Sequence, residues 1–160
     1  MTTQYENISP DLLWECCRTR NAFLTKRKQA GGVQFSRDPL NLLNKHSRKY
    51  AGFINDQAIG VQPDSNTVKL ITKVSGRGNK PAAMYHESSF SASTPSRKLF
   101  KSVVSSTAKK GYRSDLRAET VARASAVKTS QREKKETKQA TKLRGSKAKK
   151  AKEADASSSS

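Results

Sequence analysis

YRSDLRAETVARASAVKTSQ, residues 112–131, has the composition and the spacing of a helix. Ser114 is suited to cap its first turn, and Asp115 complements the positive end of the helix dipole. Glu119 and Arg123 are spaced i,i+4 with the acid first, which is the favourable order for an ion pair on a helix. Because a basic tail follows, we expect this helix to join the folded part of the chain to that tail.

The two faces of the predicted helix differ in charge. On one side, Ala118, Ala122, Ser125 and Ala126 have short side chains that would let the backbone approach a neighbouring surface closely. The other side is cationic, and within about 60° of one another on the helical wheel lie Arg113, Arg117, Lys128 and Gln131. Taken alone, this cationic face is as typical of a solvated helix as of one that binds phosphate.

The chain as a whole is strongly basic. Its 160 residues include 32 Lys and Arg against 13 Asp and Glu, which gives a formal net charge of +19. The charge is concentrated in the second half, with a net +6 up to residue 90 and a net +13 beyond it. This distribution is typical of a nucleic-acid-binding protein. A membrane partner is not expected, because the second half lacks the clustered Trp, Phe and Leu of an interfacial helix.

Several other functional classes find no support in the residues. Cys16 and Cys17 are adjacent and poorly placed to bridge each other, which favours a reducing compartment. Together with His46 and His86 they show no zinc-ligand spacing, so we expect no metal and no other cofactor. No nucleophile and base or paired acids can be selected, so we expect neither catalytic residues nor a small-molecule substrate. There is no leader-like segment, and no apolar run approaches the roughly 18 residues of a membrane span.

Periodicity and turn signals outside this helix predict a mixture of short helices and strands. After Ser9 and Pro10 we expect a helix with a buried stripe, and after Pro95 a second helix of the same kind. The first stripe is Leu12, Leu13, Cys16 and Cys17, and the second is Leu99, Phe100, Val103 and Val104. Strands are predicted at residues 22–26 and 33–35 as a hairpin, at 50–54 and 58–62 as an antiparallel pair, and at 68–74. Residues 84–92 carry no clear signal.

The predicted fold class is therefore α+β, with a small antiparallel sheet packed by helices and an extended basic helical C-terminal part and tail. We divide the chain into four segments. These are a polar arm over residues 1–8, a small α+β domain over 9–92, a helical region over 93–131 and a basic low-complexity tail over 132–160. The tail has too few large apolar residues to form a core of its own.

The candidate phosphate-binding residues lie on loops and on the helix quoted above. Each group has a second interpretation: cations at a hairpin tip are often only solubilising, and Tyr50 is as suited to a core as to base stacking. The glycine-bearing loop at 75–83 lacks the spacing of a P-loop. The candidates are Lys26, Arg27, Lys28, Arg48, Lys49, Tyr50, Arg77, Lys80, Arg113, Arg117, Arg123 and Lys128.

Three blocks of the sequence, in this order, are similar to a known family. They are NAFLTKR from Asn21, FSRDPLNLLNKHSRKYAGFINDQAIGVQP from Phe35 and YRSDLRAETVARASAVKTSQ from Tyr112. Over about residues 11–131 they resemble the eukaryotic large-subunit (60S) ribosomal protein family numbered twenty-eight with the suffix e. The family pattern has Pro where this chain has Ser114, and the chain extends further at both ends.

The resemblance implies a non-catalytic protein of the cytoplasmic large ribosomal subunit, with assembly in the nucleolus. Its expected partners are large-subunit ribosomal RNA and neighbouring large-subunit ribosomal proteins. One alternative is a nucleolar large-subunit assembly factor that carries a related domain, although an acidic tract would be expected there. A linker-histone-like chromatin protein is the other alternative, because tails rich in Lys, Ala and Ser occur in that class as well.

Overall fold

A computed structural model of the chain describes residues 8–78, 80–132 and 145–157. The helices are α1 (Pro10–Cys17), α2 (Gln29–Gly32), α3 (Ser96–Ser106), α4 (Arg117–Ser130) and α5 (Ser146–Ser157). The strands are β1 (Leu24–Arg27), β2 (Val33–Ser36), β3 (Ile59–Asp64), β4 (Thr67–Lys73) and β5 (Tyr85–Ser91). Most of the predicted arm, and tail residues 133–144 and 158–160, lie outside the described residues.

The strands form two small antiparallel sheets. β1 pairs with β2 so that Leu24 lies opposite Ser36, which confirms the predicted hairpin. The second sheet has the order β3-β4-β5, and its central strand β4 pairs with both neighbours. With helices packed on these sheets, the fold is α+β, as the sequence predicts, although the five strands of the described residues are divided between two sheets.

The main core lies between the three-stranded sheet and two helices. α4 packs on β3 and β4, and α3 packs against α4. Residues at the centre are almost completely inaccessible, because aliphatic side chains of α3, α4 and the sheet pack against one another there. The buried members include Ile59, Val61, Leu70, Leu99, Val103, Leu116, Ala124 and Val127. Thr120 is also buried, and its hydroxyl donates to the Leu116 carbonyl at 2.6 Å, so it has a hydrogen-bond partner inside the core.

The face of α4 that packs inward differs from the one with the shortest side chains. Thr120, Ala124 and Val127 face the sheet, whereas Ala118 and Ala122 are exposed. The buried stripe therefore overlaps one edge of the predicted cationic face, where Ala124 lies beside Arg113 and Gln131 on the helical wheel. The reason is apolar burial: Leu116 and Val127 remove more carbon surface from water than the exposed alanines would.

The hydroxyl of Tyr112 joins the segment before α4 to the sheet. It accepts a hydrogen bond from the Ala58 N–H at 3.0 Å and lies 2.6 Å from the Lys73 carbonyl oxygen, to which it donates. Ala58 precedes β3, and Lys73 ends β4, so a single oxygen atom ties two strand ends to the start of the C-terminal helical region.

β4 is buried more deeply than an alternating strand would be. Leu70 faces the main core, while Ile71 joins Leu40 and Ala58 in a smaller cluster of buried residues. Lys73 is only 4% exposed, and its ammonium donates to the Asn55 carbonyl at 2.9 Å. Burial lowers the pKa of Lys73, and the nearby Asp56 carboxylate opposes that effect.

The loop between the two sheets is held by the Asp38 carboxylate. It accepts hydrogen bonds from the Leu40 N–H at 2.9 Å and from the Phe53 N–H at 3.0 Å. Burial raises the pKa of Asp38, while these backbone donors act in the opposite direction. The anchors in this loop are thus Leu40 and Leu42, whereas Leu43 is exposed.

One strand prediction is wrong, and one strand of the structure was not predicted. Residues 50–54 form no strand, because Arg48–Tyr50 is a 3₁₀ turn followed by further turns, and the partner of β3 is β4. The sequence also carries no signal for β5, whose segment YHESSFS is mostly exposed at the sheet edge. Its two aromatic residues, Tyr85 and Phe90, are five positions apart and therefore lie on opposite faces of the strand, and Phe90 packs against the main core while Tyr85 is exposed. The segment therefore lacks the apolar alternation on which strand prediction depends.

The predicted N-terminal helix is present as α1, but its apolar stripe is not buried. Ser9 caps it, since its hydroxyl accepts from the Leu12 N–H at 3.2 Å, and Pro10 is its first residue. Leu12 is 55% exposed and Cys16 is exposed, so the prediction that the apolar stripe of α1 is buried is wrong within the described residues. Across those same parts, no helix has the length and apolarity that a bilayer crossing requires.

Candidate nucleic-acid interface

The turn of the β1–β2 hairpin presents cations to solvent. Lys26, Arg27 and Lys28 are all exposed, at the end of β1 and the start of the turn. The Lys26 ammonium donates to the Thr19 carbonyl at 3.0 Å, which keeps it near α1. Gly31 and Gly32 adopt φ values of 80° and 78°, a region that glycine enters readily, and so reverse the chain into β2.

Two further groups of exposed cations lie on the loop that follows β4 and at the start of α4. Arg77 and Lys80 are exposed on the loop between β4 and β5, where Gly76 has a φ of 76°. The Lys80 N–H donates to the Arg77 carbonyl at 3.0 Å, so this loop has a defined turn. Arg117 is exposed at the first residue of α4.

The residues Arg48, Lys49 and Tyr50 are drawn into a network with α1 and α4. Arg48 Nε lies 2.9 Å from Asp11 Oδ1, and its guanidinium also donates to the Asn55 side chain. Lys49 Nζ lies 3.6 Å from Glu119 Oε1, to which the Tyr50 hydroxyl donates at 3.2 Å. A bond from its own backbone N–H, aided by Tyr50 and Lys49, lowers the pKa of Glu119.

Arg113 connects three parts of the fold through hydrogen bonds of its guanidinium group. Its guanidinium donates to the carbonyl oxygens of Gln57 and Lys49, both at 3.0 Å, and pairs with the Asp115 carboxylate through two bonds of 2.9 Å. Only 16% of its side chain is exposed. The hydrogen bond from Arg113 is the main reason that the pKa of Asp115 lies below its ordinary value.

Arg113 also sets the start of the helical segment. With a φ of 45°, it precedes the 3₁₀ turn Ser114–Leu116, and α4 begins only at Arg117. Ser114 therefore lies inside that turn and does not precede the α-helix as its cap. Glu119 pairs with Lys49 instead of with Arg123, the partner that the helical spacing predicts.

Two further side chains of the predicted cationic face, Lys128 in α4 and Gln131 just after it, are turned toward neighbouring elements. The Lys128 ammonium donates to the Thr94 carbonyl before α3, and the Gln131 amide donates to the Thr67 carbonyl at 2.8 Å. Arg123 is half-buried, and its Nε atom has no hydrogen-bond partner within the described ranges. Long polar side chains beside a buried stripe can extend along it and reach such backbone groups.

The predicted cations thus form two sets. One set is exposed and makes no ion pair or side-chain hydrogen bond with any described residue; it consists of Arg27, Lys28, Arg77, Lys80 and Arg117. The other set contacts the protein itself and includes Arg48, Lys49, Arg113 and Lys128. The exposed set is spread over three elements, and none of its members was distinguishable from the second set by residue type or spacing.

A basic groove between α3 and α4 was not among the predictions. It has a volume of about 700 Å³ and an apolar floor that includes Phe100, Val104 and Val121. Lys101, Lys109 and Arg117 lie at its edge. The available signal was the run of basic residues on the exposed side of α3, which stands opposite the buried Leu99 and Val103.

No group of His, Cys, Asp and Glu able to hold a metal ion occurs in the part of the chain that the structure describes. Cys16 and Cys17 are free thiols. The polar side chains gathered around Arg113 and Glu119 are satisfied by backbone carbonyls and by each other, an arrangement typical of structural networks.

Comparison with known proteins identifies the family of this chain. The profile of the family described as the ribosomal L28e protein family matches residues 12–130. The chain belongs to the ribosomal L28e family. This membership confirms the resemblance found in the three sequence blocks. It also confirms the prediction that the chain is not an enzyme, because L28e proteins are structural components.

Individual L28e relatives support the same assignment. The large ribosomal subunit protein eL28 of Schizosaccharomyces pombe is 43% identical over 131 residues, which cover 81% of this chain and 97% of that protein. The eL28 protein of Trypanosoma cruzi is 33% identical over 95 residues, or 59% of this chain and 63% of that protein. The eL28 protein of Dictyostelium discoideum is 33% identical over 84 residues, or 52% and 61%.

Proposed function

We propose that this L28e protein is a structural constituent of the cytosolic large ribosomal subunit, where it binds and stabilises large-subunit ribosomal RNA. The observation that carries the proposal is the set of five exposed cations, Arg27, Lys28, Arg77, Lys80 and Arg117, which have no partner among the described residues. A protein that keeps such groups exposed, in a chain of net charge +19, has a strong electrostatic attraction for polyanions.

The chemistry of RNA favours contacts of this type. A-form RNA hides its base edges in a deep and narrow groove, so proteins contact mainly phosphates and 2′-hydroxyls. Guanidinium groups suit this task because they bind phosphate oxygens in pairs. We propose that the exposed set contacts phosphates directly, together with Lys26 and the part of Lys49 that remains accessible.

The remaining candidates support the interface through the fold. Arg113 connects the segment before α4 to the loops at Lys49 and Gln57, and Lys128 connects α4 to Thr94, two residues before α3. Arg48, Tyr50 and Arg123 are also partly buried. We propose that these side chains hold the exposed cations in a fixed arrangement, which reduces the conformational entropy lost on binding.

The salt dependence of binding tests this proposal. With seven phosphate contacts, one for each of the five exposed cations and one each for Lys26 and Lys49, affinity for protein-free large-subunit ribosomal RNA falls by roughly four decades between 50 and 200 mM salt. Replacing Arg117 by Gln lowers the slope of log K against log salt by about one. Arg37→Gln, at an exposed arginine outside the proposed set, is the matched control and changes the slope less. Affinity that does not depend on salt would contradict the proposal.

We further propose that the chain enters the subunit during assembly in the nucleolus and contacts neighbouring large-subunit ribosomal proteins. An epitope-tagged chain then cosediments with mature cytoplasmic large subunits. An assembly factor would instead be found only on nuclear precursor particles, and a linker-histone-like protein would fractionate with chromatin. Either of those distributions would contradict the proposed function.

A further inference from the structure

A small pocket forms where three separate segments meet around the tryptophan of α1. Trp14 and His46 bring their rings to a centroid distance of 4.9 Å with a 40° tilt. The cavity beside them has a volume of about 290 Å³. It is lined by Trp14, Arg18, Thr19, Lys26, Gln34 and His46.

The pocket is preformed by hydrogen bonds within the protein. His46 Nε2 lies 2.7 Å from the Arg18 carbonyl oxygen, and because a carbonyl only accepts, Nε2 carries a proton that it donates. The Lys26 ammonium donates to the Thr19 carbonyl at 3.0 Å. Lys26 also lies directly opposite Gln34 in the register of β1 and β2, so their side chains share one face of the hairpin.

The side chains of this pocket offer three kinds of contact. Aromatic rings provide a surface for stacking, and every nucleobase has a face that can stack on one. Lys26 and Arg18 provide positive charge at the rim, and Gln34 provides an amide that can both donate to and accept from a base edge. The ion pair between Arg18 and Glu15 is more than half exposed on both sides, so a phosphate can compete for the guanidinium at small cost.

We propose that this pocket receives one unpaired nucleobase of RNA, which stacks on the Trp14 and His46 rings while a flanking phosphate contacts Lys26 and Arg18. The inference rests on the RNA binding proposed above and adds a specific site to it. The base must be unpaired, because a base inside an A-form helix is stacked on its neighbours and offers no free face. The polar and cationic rim favours a nucleotide over an apolar protein side chain.

Tryptophan fluorescence tests the site directly, since Trp14 is the only tryptophan of the chain. The full chain is titrated with labelled single-stranded eight-nucleotide RNAs (A, C or U homopolymers) and with an eight-base-pair RNA duplex. Anisotropy of the label measures binding, and Trp14 emission measures stacking. The single strands quench Trp14 emission, whereas the duplex binds through phosphates without quenching.

The possible failures are distinguishable. If single strands bind and Trp14 emission stays unchanged, the nucleobase pocket is wrong while the proposed RNA binding stands. If neither RNA binds at low salt, both proposals fail. Equal quenching by duplex and single strand would also overturn the pocket, because it would show that stacking on a free base is not the cause.

Substitutions at the pocket provide a second, independent test. Trp14→Leu weakens single-strand affinity by about fivefold to about 150-fold and leaves duplex affinity unchanged, whereas Trp14→Phe keeps most of the affinity. Lys26→Gln weakens single-strand binding more than Lys28→Gln, which removes the same charge outside the pocket. Circular dichroism identifies any variant that fails to fold. Equal losses for single strand and duplex in folded Trp14→Leu would overturn the proposal.

Discussion

Replacing Tyr112 by phenylalanine removes one oxygen atom from the point where the C-terminal helical region meets the sheet. In the wild-type chain this oxygen accepts from the Ala58 N–H at 3.0 Å and donates to the Lys73 carbonyl at 2.6 Å. The aromatic ring, which packs against the main core, is retained in the variant. The perturbation therefore isolates the polar contribution of the tyrosine.

The expected loss of stability follows from the Ala58 N–H. Ala58 is 2% exposed, so no water replaces the hydroxyl without rearrangement. A buried donor that loses its partner costs about 1–3 kcal/mol, and we expect Tyr112→Phe to lower the free energy of unfolding by that amount. Burial raises the pKa of Tyr112 above its ordinary value of 10.0. Because a raised pKa keeps the hydroxyl protonated, the contribution is fully present at pH 7 and is lost only as the pH rises through the folded-state pKa.

Urea unfolding of the RNA-free chain at pH 7, followed by circular dichroism, measures this difference. The slope of free energy against urea should be unchanged, so that the shift in midpoint reports stability alone. Tyr85→Phe is the matched control, because Tyr85 is 44% exposed, and its effect should stay within about 0.5 kcal/mol. If Tyr112→Phe were as stable as the wild type, or if both variants lost the same amount, the assigned role of the hydroxyl would be refuted.

Three further predictions follow from the fold. Gly52→Ala lowers the free energy of unfolding by about 1–3 kcal/mol in urea, because its Cβ would overlap the Leu40 Cβ and lie 2.9 Å from the Leu40 carbonyl oxygen, whereas Ser75→Ala on an exposed loop has little effect. The hydrogen bond from Arg113 lowers the folded-state pKa of Asp115, so the ionised carboxylate contributes at most about 1 kcal/mol to the free energy of unfolding; this contribution is present above the ordinary pKa of 3.8 and is lost as the pH falls through the folded-state pKa. In urea titrations from pH 6 to pH 3, the stability of Asp115→Asn should therefore fall less with acid than that of the wild type. Deleting residues 140–160, where Leu143 is the only large apolar side chain, should leave the thermal unfolding midpoint nearly unchanged and weaken RNA binding, and a large fall in that midpoint would show that the tail is part of the fold.

Helix α4 shows how much of the structure can be predicted from local sequence pattern. Its existence followed from composition, but the inward face was decided by packing. Leu116, Thr120, Ala124 and Val127 form a stripe with spacings of four, four and three residues, a signal that charge on the same side obscured. Contact with a sheet then selected this stripe, because large aliphatic side chains gain more from burial than short ones.

The strands could be predicted from the sequence only in part. β4 was predictable because apolar residues recur along it, and the β1–β2 hairpin was predictable from its glycines. β5 is supported by hydrogen bonds to β4 from one side and carries mostly exposed polar residues, so its identity depends on the neighbour and not on its own pattern. The 3₁₀ turn at Arg48–Tyr50 is likewise stabilised by partners distant in sequence, among them Asp11 and Glu119.

For the candidate interface, the sequence predicted the type of partner, whereas the exposed residues were known only from the structure. Net charge, its concentration toward the C-terminal half and the family blocks were all available in the sequence, and they were sufficient to indicate a non-catalytic ribosomal protein. They could not separate Arg117, which is exposed, from Arg113, which is not, because both are arginines on the same predicted face. The pocket around Trp14 and His46 was also inaccessible to local pattern, since its lining residues come from three segments.

The sequence by itself therefore determined the family, the α+β class, most of the helices and strands and the polyanion as partner, because these depend on composition, local periodicity and the order of the family motifs. Only the tertiary structure decided which face of α4 is buried, which cations remain free and where an aromatic pocket forms. Those outcomes depend on distances between residues far apart in the chain: a side chain is free or occupied according to the backbone carbonyls and carboxylates that the fold brings within hydrogen-bonding reach.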